Sequence, residues 1–118
     1  MHTTLESLLT TAPVITDGAW GTQLQARGLE SGACPEAWNT EHPDRVREVA
    51  GGYVEAGSDI VLTNTFGGSR ITLDGHGLAD RAAELNRAGA QLSCEAAAGK
   101  AKVFGSIGPC GKLLMMGD

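Results

Sequence analysis

The chain has 118 residues, is 42% hydrophobic and 19% charged, and its 9 Lys+Arg against 14 Asp+Glu leave a formal charge of -5. With a mean hydropathy of -0.08, this composition excludes a disordered chain and allows one globular domain at most, at ~100–200 residues per domain. No apolar run approaches the ~20 residues of a membrane span, MHTTLESLLTTAP lacks the pattern of a secretory leader, and no basic stripe exists to displace counterions from nucleic-acid phosphates.

In chain order, residues 3–9 read as a short amphipathic helix: Thr3 and Glu6 have capping-box spacing, Leu5, Leu8 and Leu9 share a face, and Pro13 stops it. Val14-Ile15-Thr16-Asp17 is short and β-branched and reads as a strand ending at Gly18. Residues 18–41 show no clear period, apart from a helical turn around Thr22 to Ala26. They hold both tryptophans, Trp20 and Trp38, and a connection of that length tends to be functional. Pro43 fits a first helical position, with Thr40 or His42 as cap and Asp44 in the first turn. Val46, Val49, Tyr53 and Val54 then form one face, and Gly57 suits the left-handed position past the end.

Ile60-Val61-Leu62 is apolar without alternation, as in a parallel strand covered on both faces, and runs into Thr63-Asn64-Thr65. Leu78, Ala82, Leu85, Gly89, Leu92 and Ala96 form a sustained helical stripe that Gly99 closes. Val103-Phe104-Gly105-Ser106-Ile107 makes a third strand, ending at Gly108-Pro109. Strands alternating with crossover helices define an α/β protein with a parallel sheet, either doubly wound or a (β/α)8 barrel.

In both architectures the chemistry gathers at the C-terminal ends of the strands. Those ends read Asp17-Gly18-Ala19-Trp20-Gly21-Thr22, Thr63-Asn64-Thr65-Phe66-Gly67-Gly68 and Ser106-Ile107-Gly108-Pro109-Cys110-Gly111. Each joins a small polar group to glycine, which lets backbone approach a ligand while Asp, Asn and Thr orient it. The chain is no dinucleotide binder. GAWGTQ matches neither G-x-G-x-x-G nor a phosphate-binding Gly-Lys-Ser/Thr loop, and Asn64 stands where an acidic ribose contact belongs.

DGAWGTQLQARGL, YVEAGSDI followed by VLTNTF, SIGP, and Cys34-Pro35-Glu36-Ala37-Trp38-Asn39 with His42-Pro43 closely resemble the N-terminal portion of the homocysteine S-methyltransferase family, over roughly residues 13–111. The resemblance implies a (β/α)8 TIM barrel in which zinc binds the homocysteine thiol and holds it as a thiolate. That thiolate attacks an activated methyl group to give methionine. The methyl donors of the family include methylcorrinoids, so a corrinoid protein or domain is an implied partner beside the small-molecule thiol amino acid. Carried over by position, Asp17 meets the substrate ammonium, backbone N–H groups near Gly18 and Ala19 meet its carboxylate, Asn64 and Thr65 line the rim near the sulfur, and Phe66 gives an apolar wall.

The family's zinc ligands are cysteines on later strands, including an adjacent Cys-Cys pair that this sequence lacks. A barrel of ~250 residues also exceeds its length. The expectation is therefore residues 1–118 as the first three β/α units of a single barrel, with no metal ligand or catalytic residue of its own and no activity alone. The alternative is a short binding or assembly module that docks its open sheet edge as an oligomer, because bare edges seldom stay unpaired.

The remaining singled-out residues read blandly. Cys34, Cys94 and Cys110 have no disulfide or zinc spacing and fit a reduced, cytoplasmic setting, with Cys34 structural and Cys94 partly buried. His2, His42 and His76 are scattered without acidic companions, Arg70 and Lys112 read as solvated, and Met115-Met116 as a loop or core contact. Trp20, large and set among glycines, is balanced between packing and a place at the barrel mouth.

Overall fold

The computed structural model describes residues 3–10 and 13–112. Helix α1 (Thr3–Leu9) buries none of its residues, and Thr3 is its first helical residue rather than the cap before it. Residues 13–17 run parallel to strand β1 (Ile60–Leu62), which in turn pairs in parallel with β2 (Lys102–Phe104). The register sets Ile60 opposite Lys102 and Leu62 opposite Phe104. The expected first strand shrinks to a single bridge, Thr16 to Ile60, flanked by backbone bonds from Ile60 to Ile15 (3.2 Å) and from Asp17 to Ile60 (3.0 Å). Its chain is pinned by side chains as much as by the ladder, since the Ile15 N–H donates to Asp59 Oδ2 at 2.9 Å. The third strand ends at Phe104, earlier than Ile107, because Ser106 turns its N–H to the Thr63 hydroxyl instead of to a strand.

The connection from 18 to 41 is structured rather than irregular. Helix α2 (Gly21–Ala26) is followed by a 3-10 turn at Pro35–Ala37 and helix α3 (Trp38–Glu41). Helix α4 (Pro43–Glu55) starts at Pro43 as expected, though the His42 cap donates no side-chain bond. It ends where Gly57 adopts φ +100°, with Ser58 N–H bonding Tyr53 and Gly57 N–H bonding Val54. These paired bonds satisfy carbonyls that the helix end would otherwise orphan. Gly28, at φ +108°, ends α2 with the same pair of bonds, and there Leu24 and Leu29 are both buried. A short helix α5 (Arg70–Asp74), unsignalled by periodicity, begins at Ser69, whose hydroxyl accepts from Thr72 N–H at 3.1 Å.

The stripe from Leu78 onward resolves into a 3-10 turn (Ala79–Arg81) and helix α6 (Ala82–Ala97). Its buried face is Ala82, Leu85, Gly89, Leu92, Ser93 and Ala97; Cys94 faces outward and is exposed, not partly buried. Helices α4 and α6 pack together against one face of the sheet, where Ala50, Val61 and Ala97 form a core with Tyr53, Val54 and Val103. A second cluster gathers Leu24, Leu29, Trp38, Val46, Val49 and Leu92, and a third Cys34, Ala37, Leu73, Ala82 and Leu85. Covering a parallel sheet with crossover helices is the α/β rule. Among the described residues no helix is long and apolar enough to cross a membrane; Met115-Met116 and His2 lie outside them.

Candidate functional site

The three strand ends meet on one rim, tied by their own polar groups. Asp17 Oδ2 accepts from the Leu62 N–H at 2.8 Å and from the Trp20 indole N–H at 2.7 Å, fastening the first strand end to the second. The second is fastened to the third by a closed ring. Thr65 donates its hydroxyl to the Ser106 carbonyl (2.7 Å), Ser106 N–H donates to Thr63 Oγ1 (3.0 Å), and the two threonine hydroxyls lie 2.6 Å apart. Since the Thr65 proton is spent on Ser106, Thr63 is the donor in that last bond. Gly108 closes on the same rim, its N–H 3.0 Å from the Phe66 carbonyl. A Cβ there would collide with that oxygen and with the ring.

Beneath the rim lies a cavity of about 420 Å³, lined on the first-strand side by Gly18, Trp20, Gly21 and Leu24, and on the far side by Leu62, Thr63, Asn64, Phe66, Gly67 and Ser106. Pro35, Glu36, Thr72 and His76 complete its wall. Of the expected site residues, Gly18, Asn64 and Phe66 border this space directly. Asp17 sits just behind, through its partners Trp20 and Leu62. Gly18 and Ala19 are exposed, and among the described residues neither N–H has a protein partner, while the Ala19 carbonyl accepts from Tyr53 Oη at 2.6 Å. Thr65 is buried and borders a neighbouring groove with Phe66, Ser69, Asn86 and Ile107 instead. Phe66 keeps 62% of its surface exposed. Trp20 packs on the core and also lines the cavity.

Asn64 is held by a reciprocal latch. Its Nδ2 donates to the Pro35 carbonyl and to Asn39 Oδ1, both at 2.9 Å, while Asn39 Nδ2 donates back to the Asn64 carbonyl (2.9 Å) and to Leu85 (3.0 Å). With both amide hydrogens spent inward, the side-chain oxygen of Asn64 is what remains for the cavity. Gly89 of α6 makes room for the latch, since a Cβ would stand 2.8 Å from Asn39 Nδ2 and 2.9 Å from Thr65 Cγ2.

Sequence reasoning missed Asn39 and Glu36. Glu36 is only 4% exposed, and its carboxylate accepts from the Gly67 N–H at 2.9 Å and from the Cys34 thiol at 3.5 Å. Burial, with the Glu36 charge adding to it, pushes the Cys34 thiol above its ordinary range, so it remains an S–H donor. The available signal was Pro35, which starts a helical turn and so fixes Glu36 within it. Arg70, read as solvated, pairs loosely with Asp80 at 3.5 Å on the surface. No three His, Cys, Asp or Glu side chains among the described residues converge on a point that could hold a metal ion.

The family model for homocysteine S-methyltransferases matches residues 14–118. Methionine synthase of Mycobacterium tuberculosis is 37% identical over 129 aligned positions, which cover 98% of this chain and 11% of that protein. Methionine synthase of Mycobacterium leprae is 36% identical, over 88% of this chain and 10% of its own length. Among solved structures, the metallated form of the homocysteine methyltransferase MmuM from Escherichia coli superposes with a TM-score of 0.77 at 25% identity, covering 89% of this chain and 41% of that one. Its oxidized form gives 0.81, over 99% and 44%. The chain thus spans about a tenth of the methionine synthases it matches and under half of the solved enzyme. Its small parallel sheet and flanking helices share the fold of that solved methyltransferase, and the chain belongs to the homocysteine S-methyltransferase family.

Proposed function

We propose that residues 1–118 form the first three β/α units of a (β/α)8 barrel that binds homocysteine and presents its thiol to a methyl donor, giving methionine. The observation that carries this is the cavity under the joined strand ends, where glycine backbone, a fixed amide and two aromatic side chains line a space large enough to admit a small amino acid. Asp17, Gly18 and Ala19 hold the polar end of the substrate. The Gly18 and Ala19 N–H groups suit its carboxylate, and the oxygen of Asp17 not spent on Trp20 and Leu62 suits its ammonium. Asn64 and Phe66 form the opposite wall, with the Asn64 oxygen and the Phe66 ring toward the sulfur, and Thr65, in the neighbouring groove, supports that wall through its bond to Ser106.

Zinc, in a barrel of this family, lowers the thiol pKa so that a thiolate is present at neutral pH. The described residues offer no ligand set for it, so this chain's own contribution is binding and orientation. A methylcorrinoid, carried by another protein or domain, is the donor that the methionine synthase likeness favours. Isothermal titration of the folded protein with L-homocysteine tests the reading. A single saturable site is expected, weakened about tenfold or more by Asp17→Asn, because a bond to a charged group contributes ~1.5–3 kcal/mol. A folded protein that gives no binding heat refutes it.

A further inference from the structure

Among the described residues, Glu36 is the one acidic residue in the cavity lining, and Asp17 is not part of it. Glu36 is buried to 4% exposure, yet among the described residues it has no ion pair. The arginines that do pair, Arg27, Arg47, Arg70 and Arg81, are committed to Glu48, to Asp44 and Glu95, to Asp80, and to Glu84. A buried carboxylate ordinarily needs a cation or a full set of donors to offset its lost hydration. A carboxylate has about four acceptor positions. Glu36 fills two, one with a backbone N–H and one with a thiol, a weak donor, at 3.5 Å. The thiol stays protonated beside it, so no second anion competes for a ligand's positive charge.

Local structure aims this group rather than leaving it incidental. Pro35 begins the turn that carries Glu36, the Pro35 carbonyl is held by Asn64, and Gly67 packs so closely that a Cβ would stand 3.0 Å from Glu36 Oε1. The carboxylate is thereby locked between the loop after the first strand and the loop after β1, in a residue that lines the same cavity as Gly18. We infer that Glu36 is a second anionic contact for the ammonium group of the amino-acid substrate, shared with Asp17. This rests on the reading that the cavity takes an α-amino acid.

Titration of the wild-type protein and Glu36→Gln with L-homocysteine and with 4-sulfanylbutanoate, which lacks only the amine, tests the assignment. The wild type is expected to prefer homocysteine, and Glu36→Gln to shrink that preference about tenfold while binding 4-sulfanylbutanoate nearly as before. An unchanged preference assigns the ammonium to Asp17 alone and overturns the inference. Equal weakening of both ligands overturns it too, since Glu36 then only shapes the Gly67 turn. A wild-type protein that binds neither compound removes the underlying reading and the inference with it. Should Glu36→Gln fail to fold, the carboxyl carbon resonance of Glu36 in the wild type decides. A shift on adding homocysteine but not 4-sulfanylbutanoate supports the contact, and equal shifts with both overturn it.

Discussion

At the scale of single residues, two glycines with the same propensity have opposite value. A methyl group placed on Gly51 of α4 would meet nothing within 4 Å, whereas one on Gly89 of α6 would press on the Asn39–Asn64 latch. Gly51→Ala should therefore stabilise the chain by about 0.5–1 kcal/mol through helix propensity alone. Gly89→Ala should destabilise it by about 1–3 kcal/mol of overpacking, more than the propensity gain returns. Urea midpoints of the two variants check both signs, and equal shifts would show that the latch is soft. Cys34 provides a pH-dependent counterpart. Its thiol is raised in the folded state, so its contribution to stability is fully present below the ordinary value of 9.0 and is lost as pH rises through the higher folded value. The wild type should lose more stability between neutral pH and pH above that value than Cys34→Ala does, read as the difference between their denaturation midpoints.

At the scale of elements, the rim is held by side chains because the strands are too short to hold it by ladders. The Thr63–Thr65–Ser106 ring is the joint between β1 and the chain beyond β2. Replacing both threonines by valine keeps the shape, removes the joint and leaves the Ser106 N–H without its acceptor. The expected result is faster amide exchange at Ser106 and Gly108 with little change at Val61, whose core is on the helix side. Unaltered exchange at Ser106 would show that the ring is not what ties the strand ends. This division explains what was legible in the sequence. Helices α4 and α6 declared themselves because a long apolar stripe repeats at helical spacing. The β1 run and its Thr-Asn-Thr end were legible for the same reason of local pattern. The turns at 35–41 were not, because Glu36, Trp38 and Asn39 are buried by tertiary partners that no local period encodes. An acidic residue and an amide read as surface until Gly67 and Asn64 are seen to meet them. Asp17 stood out as a strand-end carboxylate, but that its oxygen goes to Trp20 and Leu62 depends on the strand pairing itself.

At the scale of the molecule, the described helices cover one face of the sheet and leave the other partly open. Val61 and Val103 pack under α4 and α6, while on the opposite face Ile60 is buried and Leu62 and Phe104 remain half-buried. The rim adds Phe66 at 62% exposure and Ile107 at 94%, and Ile15 near the outer edge at 55%. A parallel sheet with one partly open face and, among the described residues, unpaired outer edges is a template for association, since soluble monomers seldom expose large contiguous apolar patches. In a whole barrel of this family, further strands would pair those edges and fill that face. The 118-residue chain by itself is therefore expected to sediment as species heavier than its 12.2 kDa at micromolar concentration and to bind a hydrophobic dye. Lysine at Ile107 and at Ile15 together should shift it toward monomer with little loss of stability, because both side chains are mostly in water already. A dye-silent monomer at high concentration would overturn this expectation and show that the chain itself satisfies its open face.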